Sequence, residues 1–347
     1  MFLGYLDGLK AQGWEPDLII STCGGAFASL AVMSSAEPEK RLDLLRSDAF
    51  HKELLQFQMN SAKTSALVMG AKAGDLGKQA NESPSYLPLP RIFEKNDVLM
   101  WVPFQFGVEA AKLPFTGNLP KSIVVGSRLL YGPKDVGKSD GGEGSKWYRE
   151  NYVTDEDTAK LLDGRPSDIA ALFPKGAVDS TTETRTGWTQ GEAARMSVSD
   201  LYYMQPLEKD GQYFAGGFIN LFPLELAMEL GDEVVAIRSS PFSGIEDTVI
   251  KTVFGYSGNE RMDHVMSTLA SSPEGKGRVH WLEVAADIDS TYEKWGMNPQ
   301  MSKGNIFLAS LKSGIPQDLE EYRKRVNALY AWGKSKGLAV KLTPDKK

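Results

Sequence analysis

Residues 17–32 read Asp-Leu-Ile-Ile-Ser-Thr-Cys-Gly-Gly-Ala-Phe-Ala-Ser-Leu-Ala-Val. An apolar strand over Leu18–Ile20 runs into small residues, and a helix is predicted to begin at about Gly25. A strand that turns sharply into a helix presents one side chain at the top of a sheet, which is the geometry of a nucleophile elbow. Cys23 occupies the nucleophile position, where the usual spelling G-x-S-x-G has serine.

Cys23 has two interpretations. In the first, the turn is an ordinary strand–helix connection with a buried and inert cysteine, the commonest state of a free thiol. In the second, Cys23 is a nucleophile and the N–H of Gly24 is an oxyanion donor. A free thiol has a pKa of about 8.5, and a helix N-terminus lowers that value. A cysteine therefore depends less on an adjacent base than a serine does.

The composition limits the class of protein. The chain has 347 residues, 41% hydrophobic and 24% charged, which suits one large globular domain or two. The net charge is −6 and no basic stretch is interleaved with aromatics, so nucleic acid is not expected as a partner. A single cysteine excludes an intramolecular disulfide and fits a reducing compartment. No signal peptide and no membrane-spanning apolar run are visible, so a cytoplasmic location is expected.

Apolar strands alternate with helical segments along the chain, which is typical of an α/β domain with a mainly parallel sheet. The predicted strands cover residues 17–21, 122–126, 212–214 and 233–239. The predicted helices cover residues 2–13, 25–35, 38–55, 222–230 and 317–337.

Residues 132–139 match the spelling G-x-x-x-x-G-K-S/T of a phosphate-binding loop. Such a loop must follow a strand and open a helix, because the helix N-terminus holds the phosphates. The residues after Ser139 are Asp-Gly-Gly-Glu-Gly, which do not favour a helix start. A solvated glycine-rich loop is therefore the favoured interpretation, and a nucleotide site is the weaker alternative.

A second segment, residues 192–239, contains Lys-Asp-Gly-Gln-Tyr-Phe-Ala-Gly-Gly-Phe-Ile-Asn-Leu-Phe-Pro over residues 209–223. Together with the early elbow, this segment resembles the patatin-like phospholipase family, which has a D-G-G/A motif between an upstream D-G-x-Y pattern and downstream Asn and Pro. Ala215-Gly216-Gly217 matches the motif with Ala215 in place of the aspartate, and Asn220 and Pro223 match downstream. The resemblance covers about residues 5–32 and 192–239 and is absent after about residue 245.

The resemblance implies a three-layer α/β/α patatin-like fold with a mainly parallel central sheet over residues 1–245, and a C-terminal extension over residues 246–347 that packs on it. In that family the elbow serine and the motif aspartate form a catalytic dyad that hydrolyses lipid acyl esters. Cys23 and Ala215 stand at these two positions, so the dyad is not intact. The family's first strand and glycine-rich oxyanion loop have no counterpart in this sequence.

The expected function is that of a catalytically degenerate relative of lipid acyl hydrolases, which binds a lipid or acyl-ester ligand. One alternative is an active acyl hydrolase or acyltransferase with Cys23 as its nucleophile, and another is nucleotide binding through residues 132–139. Asp200 and Asp210 are the carboxylates nearest to Ala215 in sequence. Neither is expected to replace the missing aspartate, and Asp210 belongs to the turn before strand 212–214.

A dense apolar run at residues 100–106, with Phe115 nearby, has two interpretations. Ordinary core is favoured, because apolar runs in globular proteins are mostly buried. The alternative is a cap over an acyl tunnel or a peripheral contact with a membrane surface. No metal-ligand spacing such as H-E-x-x-H or C-x-x-C occurs, so neither a metal nor a cofactor is expected.

Overall fold

The computed structural model describes residues 1–59, 89–98, 100–101, 106–116, 118, 120–138, 145–201, 203–238, 241–242, 244–273, 275–283, 300–301, 311–312 and 315–340. The α-helices among them are α1 (Phe2–Lys10), α2 (Gly25–Ser34), α3 (Pro38–Arg46), α4 (Asp48–Leu55), α5 (Glu156–Leu161), α6 (Asp168–Leu172), α7 (Gln190–Ser197), α8 (Leu224–Leu230), α9 (Gly244–Phe254), α10 (Gly258–Asp263) and α11 (Leu319–Ala339). The strands are β1 (Leu18–Ser21), β2 (Gln58–Met59), β3 (Met100–Trp101), β4 (Lys121–Leu129), β5 (Tyr148–Val153), β6 (Glu183–Arg185), β7 (Leu207–Lys209), β8 (Gln212–Ala215), β9 (Val234–Arg238), β10 (Val279–Glu283), β11 (Gln300–Met301) and β12 (Leu311–Lys312).

The main sheet is mixed and has the strand order β6-β5-β4-β8-β7, with β1 also paired to β4. The pairs β1–β4 and β5–β6 are parallel, whereas β4–β5, β4–β8 and β7–β8 are antiparallel. Strands β7 and β8 pair antiparallel because the two-residue turn Asp210-Gly211 joins them as a hairpin. Both turn residues have the positive φ angles, 51° and 69°, that such a turn requires. The predicted α/β class is confirmed, and the expected parallel pairing holds for part of the sheet.

Strand β4 forms the centre of the core, because helices pack on both of its faces. Val124 lies in one apolar cluster with Ala26 of α2 and Met196 of α7. Its neighbour Ile123 points to the other face and lies in a cluster with Leu226 of α8. Side chains alternate between the faces of a strand, so a continuous apolar run predicts burial on both sides. The run at β4 is buried in this way.

The carboxyl ends of β1 and β8 meet along the same edge of β4. Ser21, the last residue of β1, pairs with Val124, and Ala215, the last residue of β8, pairs with Ser127. Because β1 runs parallel to β4 and β8 runs antiparallel to it, the two strands approach each other end to end. The segments that leave these strands therefore emerge at one place above the sheet.

The last described helix of the expected extension, α11, packs against the first helix, α1. The approach is close: a Cβ atom added to Gly8 would lie 2.9 Å from the Cα atom of Gly337. The Tyr330 hydroxyl also donates a hydrogen bond of 2.7 Å to the carboxylate of Asp7. Glycine at both positions allows the two backbones to pack at this distance.

Two sequence-based expectations fall partly outside the described residues. Residues 102–105 of the apolar run at 100–106 are not among them, and neither is Ser139 of the phosphate-loop match. Within the part of the chain that is described, no helix has the combination of length and apolar character that a membrane crossing requires.

Candidate active site

Cys23 lies at the sharp turn between β1 and α2. Its φ angle is 46°, in the left-handed region, which costs a non-glycine residue about 1–2 kcal/mol. The N–H of Gly25 donates to the carbonyl of Thr22, and the N–H of Ala26 donates to the carbonyl of Cys23. The helix therefore begins directly after the turn, and the predicted strand and helix on either side of Cys23 are confirmed.

The end of α7 fixes the backbone of this turn. The N–H of Cys23 donates to the hydroxyl oxygen of Ser197 at 2.9 Å. That hydroxyl in turn donates to the carbonyl of Val125 in β4 at 2.7 Å. Ser197 is fully buried. One side chain thus ties the elbow to the central strand and holds Cys23 in its strained conformation.

Asp200, just beyond α7, supplies a carboxylate to Cys23. The thiol of Cys23 donates to Oδ2 of Asp200, with 3.2 Å between Sγ and Oδ2. Neither Asp200 nor Asp210 was expected to replace the missing aspartate, but the structure places the Asp200 carboxylate within hydrogen-bond distance of Cys23. The helix ends at Ser197 and the chain then turns back, with the N–H of Asp200 bonded to the carbonyl of Val198. Asp210 lies in the β7–β8 turn, as the sequence predicted.

The two groups form a neutral thiol beside a carboxylate. Burial raises the pKa of Asp200 to about 6, and the hydrogen bond from Cys23 acts in the opposite direction. Burial also raises the pKa of the Cys23 thiol, and the charge of Asp200 raises it further, against the smaller lowering effect of the Gly24 N–H. The lowered thiol pKa expected from the helix N-terminus is therefore wrong, because burial and the carboxylate outweigh the helix.

Ala215, which the sequence resemblance matches with the aspartate of the patatin-like motif, lies at the end of β8. Its side chain packs in an apolar cluster with Leu201 and Ile219 and is 1% exposed. The next residue approaches the Cys23–Asp200 pair: a Cβ atom added to Gly216 would lie 2.5 Å from Oδ1 of Asp200. That oxygen is buried and has no hydrogen-bond partner among the residues that the structure describes. The space beside Gly216 thus holds the Asp200 carboxylate.

Aromatic and aliphatic side chains form a cluster that includes Phe27 of α2. Phe27 of α2 meets Phe106 edge to face, with 5.3 Å between ring centroids, and Phe57 stacks on Phe106 at 6.2 Å. Val198 and Met204 are buried in a cluster with Phe27 and Phe57. Phe106, at the end of the apolar run at 100–106, is partly buried and packs against these rings.

The described part of the phosphate-loop match is bonded within the chain. Lys138 forms an ion pair of 2.8 Å with Asp135. The N–H of Gly137 donates to the carbonyl of Leu89, and the N–H of Asp135 donates to that of Gly132. A phosphate site needs such N–H groups free and the lysine directed at the anion. The described residues of this segment thus offer no cradle for phosphate.

Sequence reasoning named Cys23 and Gly24 as candidate site residues but did not anticipate that Ser197 and Asp200 contact the same turn. The sequence showed only that Asp200 is an acidic residue within the segment that resembles the family. Its contact with Cys23 could not be predicted from a local pattern, because the two residues are 177 positions apart. In the residues that the structure describes, no group of three or more His, Cys, Asp or Glu side chains is arranged to hold a metal ion.

Comparison with known proteins does not assign the chain. No protein-family model matches it, and no curated protein matches it. The geometry itself shows which chemistry the site can support. Cys23 supplies a thiol, Asp200 a carboxylate within hydrogen-bond distance of it, and Gly24 a backbone N–H that interacts with the sulfur. Groups of these kinds are the ones that acyl transfer uses.

Proposed function

We propose that the chain is a patatin-like acyl-transfer protein of the three-layer α/β/α type, which accepts acyl groups from lipid-type esters on Cys23 and uses Asp200 as the proton acceptor. The observation that carries this proposal is the 3.2 Å contact between Sγ and Oδ2 at a strained strand–helix turn. The resemblance of the elbow and of Ala215-Gly216-Gly217 to family motifs supports the choice of substrate class.

Acylation would begin with attack by Sγ on the ester carbonyl carbon. As the C–S bond forms, the thiol proton passes to Oδ2 of Asp200. The N–H of Gly24, which interacts with the Cys23 sulfur, would then stabilise the negative charge on the carbonyl oxygen. Collapse of the tetrahedral intermediate breaks the C–O bond, and Asp200 returns the proton to the departing alcohol. The product is a thioester on Cys23.

Deacylation would use the same carboxylate. A water molecule gives its proton to Asp200 and attacks the thioester carbonyl, the C–S bond breaks, and the sulfur recovers the proton. The pair can therefore serve both half-reactions, as the family's serine and aspartate do. Asp200 has a pKa of about 6, so it is mostly ionised at neutral pH and available to accept a proton.

The raised pKa of the thiol makes proton transfer from Cys23 to Asp200 unfavourable. Each pKa unit that separates the proton donor from the acceptor adds about 1.4 kcal/mol to proton transfer. The site has a carboxylate beside the sulfur, which opposes a free thiolate. Proton transfer must therefore accompany attack, and we expect turnover to be slow.

A second candidate function is acyl binding without turnover, which the same raised thiol pKa favours. In that case the apolar cluster of Phe27, Phe57, Val198 and Met204 would bind the acyl chain, and Cys23 would stay unmodified. The two candidates differ in one observable, because only the first forms a covalent thioester.

The first prediction concerns ester hydrolysis. The purified protein should hydrolyse p-nitrophenyl butyrate slowly, and Cys23→Ala should abolish the reaction. Asp200→Asn removes the proton acceptor and should lower kcat/KM by about 10²–10⁴. The matched control is Asp210→Asn, which neutralises an exposed carboxylate in the β7–β8 turn and should leave the rate unchanged.

The outcomes separate the candidates. Hydrolysis that survives Cys23→Ala at the wild-type rate would contradict acyl transfer at this residue. Absence of hydrolysis, together with saturable binding of a fluorescent medium-chain fatty acid, would support the second candidate instead.

A further inference from the structure

Arg195 is the largest fully buried side chain among the described residues, with 1% exposure. Other buried arginines have acidic partners: Arg165 pairs with Asp168, and Arg261 pairs with Glu225. Burial alone lowers the pKa of Arg195 to about 10, and no described carboxylate acts on it. A buried charge without an opposite charge lowers the stability of the folded protein, unless hydrogen bonds compensate for the lost water.

The guanidinium of Arg195 joins the two ends of one turn. Nη1 donates to the hydroxyl of Ser199, and Nη2 donates to the carbonyl of Gln205 at 3.1 Å. The Ser199 hydroxyl donates back to the carbonyl of Arg195 at 2.7 Å. The turn between these residues carries Asp200. Arg195 thus closes the segment that presents the carboxylate to Cys23.

The closed turn is also bonded inwards and to the sheet. The N–H groups of Tyr203 and Met204 both donate to the carbonyl of Asp200 at 3.0 Å. The N–H of Gly216 donates to the carbonyl of Ser199 at 2.8 Å. These bonds fix the backbone of Asp200 from two sides, and the guanidinium fixes the ends of the turn.

We propose that Arg195 is a positioning residue, which holds the turn from Ser199 to Gln205 so that Asp200 stays within hydrogen-bond distance of Cys23. The inference rests on the proposed acyl transfer at the same site. An arginine that only fills space could be replaced by an apolar side chain of similar length without an effect at Cys23. An arginine that positions the turn could not.

The second prediction uses the pH dependence of Cys23 alkylation by iodoacetamide, which requires no turnover. Cys23 is the only cysteine, so the reaction reports on one thiol. The Asp200 carboxylate raises the pKa of that thiol. Among the described residues, Asp200 is the charged group that shifts the pKa of Cys23. Asp200→Asn should therefore shift the alkylation profile to lower pH. Arg195→Met should shift the profile in the same direction, and Arg195→Lys should shift it less.

Arg41→Met is the matched control. Arg41 is also buried, and its guanidinium donates to the carbonyls of Ser35 and Ala36, remote in sequence from the turn. This variant should lower the thermal midpoint and leave the alkylation profile unchanged. If Arg195→Met does not fold, Ser199→Ala removes the Nη1 acceptor with a small change in volume and should give the same shift.

Two results would overturn the inference. A wild-type alkylation profile in folded Arg195→Met or Ser199→Ala, with only the thermal midpoint lowered, would show a purely structural role. A wild-type profile in Asp200→Asn would show that Asp200 does not act on Cys23, so that the proposed function and the positioning role would both fail. A shift in Asp200→Asn without one in the Arg195 variants rejects the positioning role alone.

Discussion

Cys23 adopts a backbone conformation that its side chain disfavours. Its φ angle is 46°, and its N–H donates a hydrogen bond to Ser197 in this conformation. Strain of this kind persists where the surrounding structure over-determines it, commonly at functional sites. The turn places the sulfur against Asp200, so the strain and the chemistry share one cause.

The third prediction compares two variants that both lack the thiol. Cys23→Ala keeps the left-handed strain, whereas Cys23→Gly relieves it, because glycine has no Cβ atom. The free energy of unfolding in urea should be about 1 kcal/mol higher for Cys23→Gly than for Cys23→Ala. This value already allows for the greater entropy that glycine gives the unfolded chain. An alanine variant as stable as the glycine variant would show that the turn is not strained.

At the scale of elements, the sequence predicted well where the signal is local. The strand expected at residues 17–21 is Leu18–Ser21, and the helix expected at 25–35 is Gly25–Ser34. One predicted helix over 38–55 is two helices, because the Ser47 side chain accepts the N–H of Phe50 and caps a new start. Local patterns of this kind need no knowledge of the rest of the chain.

Strand β5 shows what a local pattern cannot predict. Its sequence Tyr-Arg-Glu-Asn-Tyr-Val has no apolar alternation, yet Glu150 and Asn151 are fully buried. The carboxylate of Glu150 accepts hydrogen bonds from Asn220, at 2.7 Å, and from Ser167. Burial of these polar groups depends on partners far along the chain, as does the contact between Asp200 and Cys23. The elbow was therefore predictable and its carboxylate was not.

At the scale of the whole molecule, the site contributes to the pH dependence of folding. The pKa of Asp200 is about 6 in the folded protein against 3.8 as the ordinary value. Between these values the folded state binds more protons than the unfolded chain, so this group makes the protein less stable as the pH rises from about 4 to about 6. Asp168 acts with the same sign, because burial raises its pKa to about 6 as well.

The fourth prediction isolates Asp200 from Asp168. Asp200→Asn removes one of the two groups, so the stability of the variant relative to wild type should improve as the pH rises from 4 to 7. The expected gain is about 2–3 kcal/mol, since each unit of pKa shift corresponds to about 1.4 kcal/mol. Urea unfolding at a series of pH values measures it. A difference between the two proteins that stays constant with pH would contradict the raised pKa of Asp200.

The fifth prediction tests most directly the claim that Cys23 accepts an acyl group with the help of Asp200. The protein is incubated with p-nitrophenyl butyrate, quenched in acid and examined by intact-mass and peptide mass spectrometry. We expect one butyryl group on Cys23, formed much more slowly in Asp200→Asn and at the wild-type rate in Asp210→Asn. A protein that gains no acyl group on Cys23, or gains it equally fast without the Asp200 carboxylate, would contradict the account.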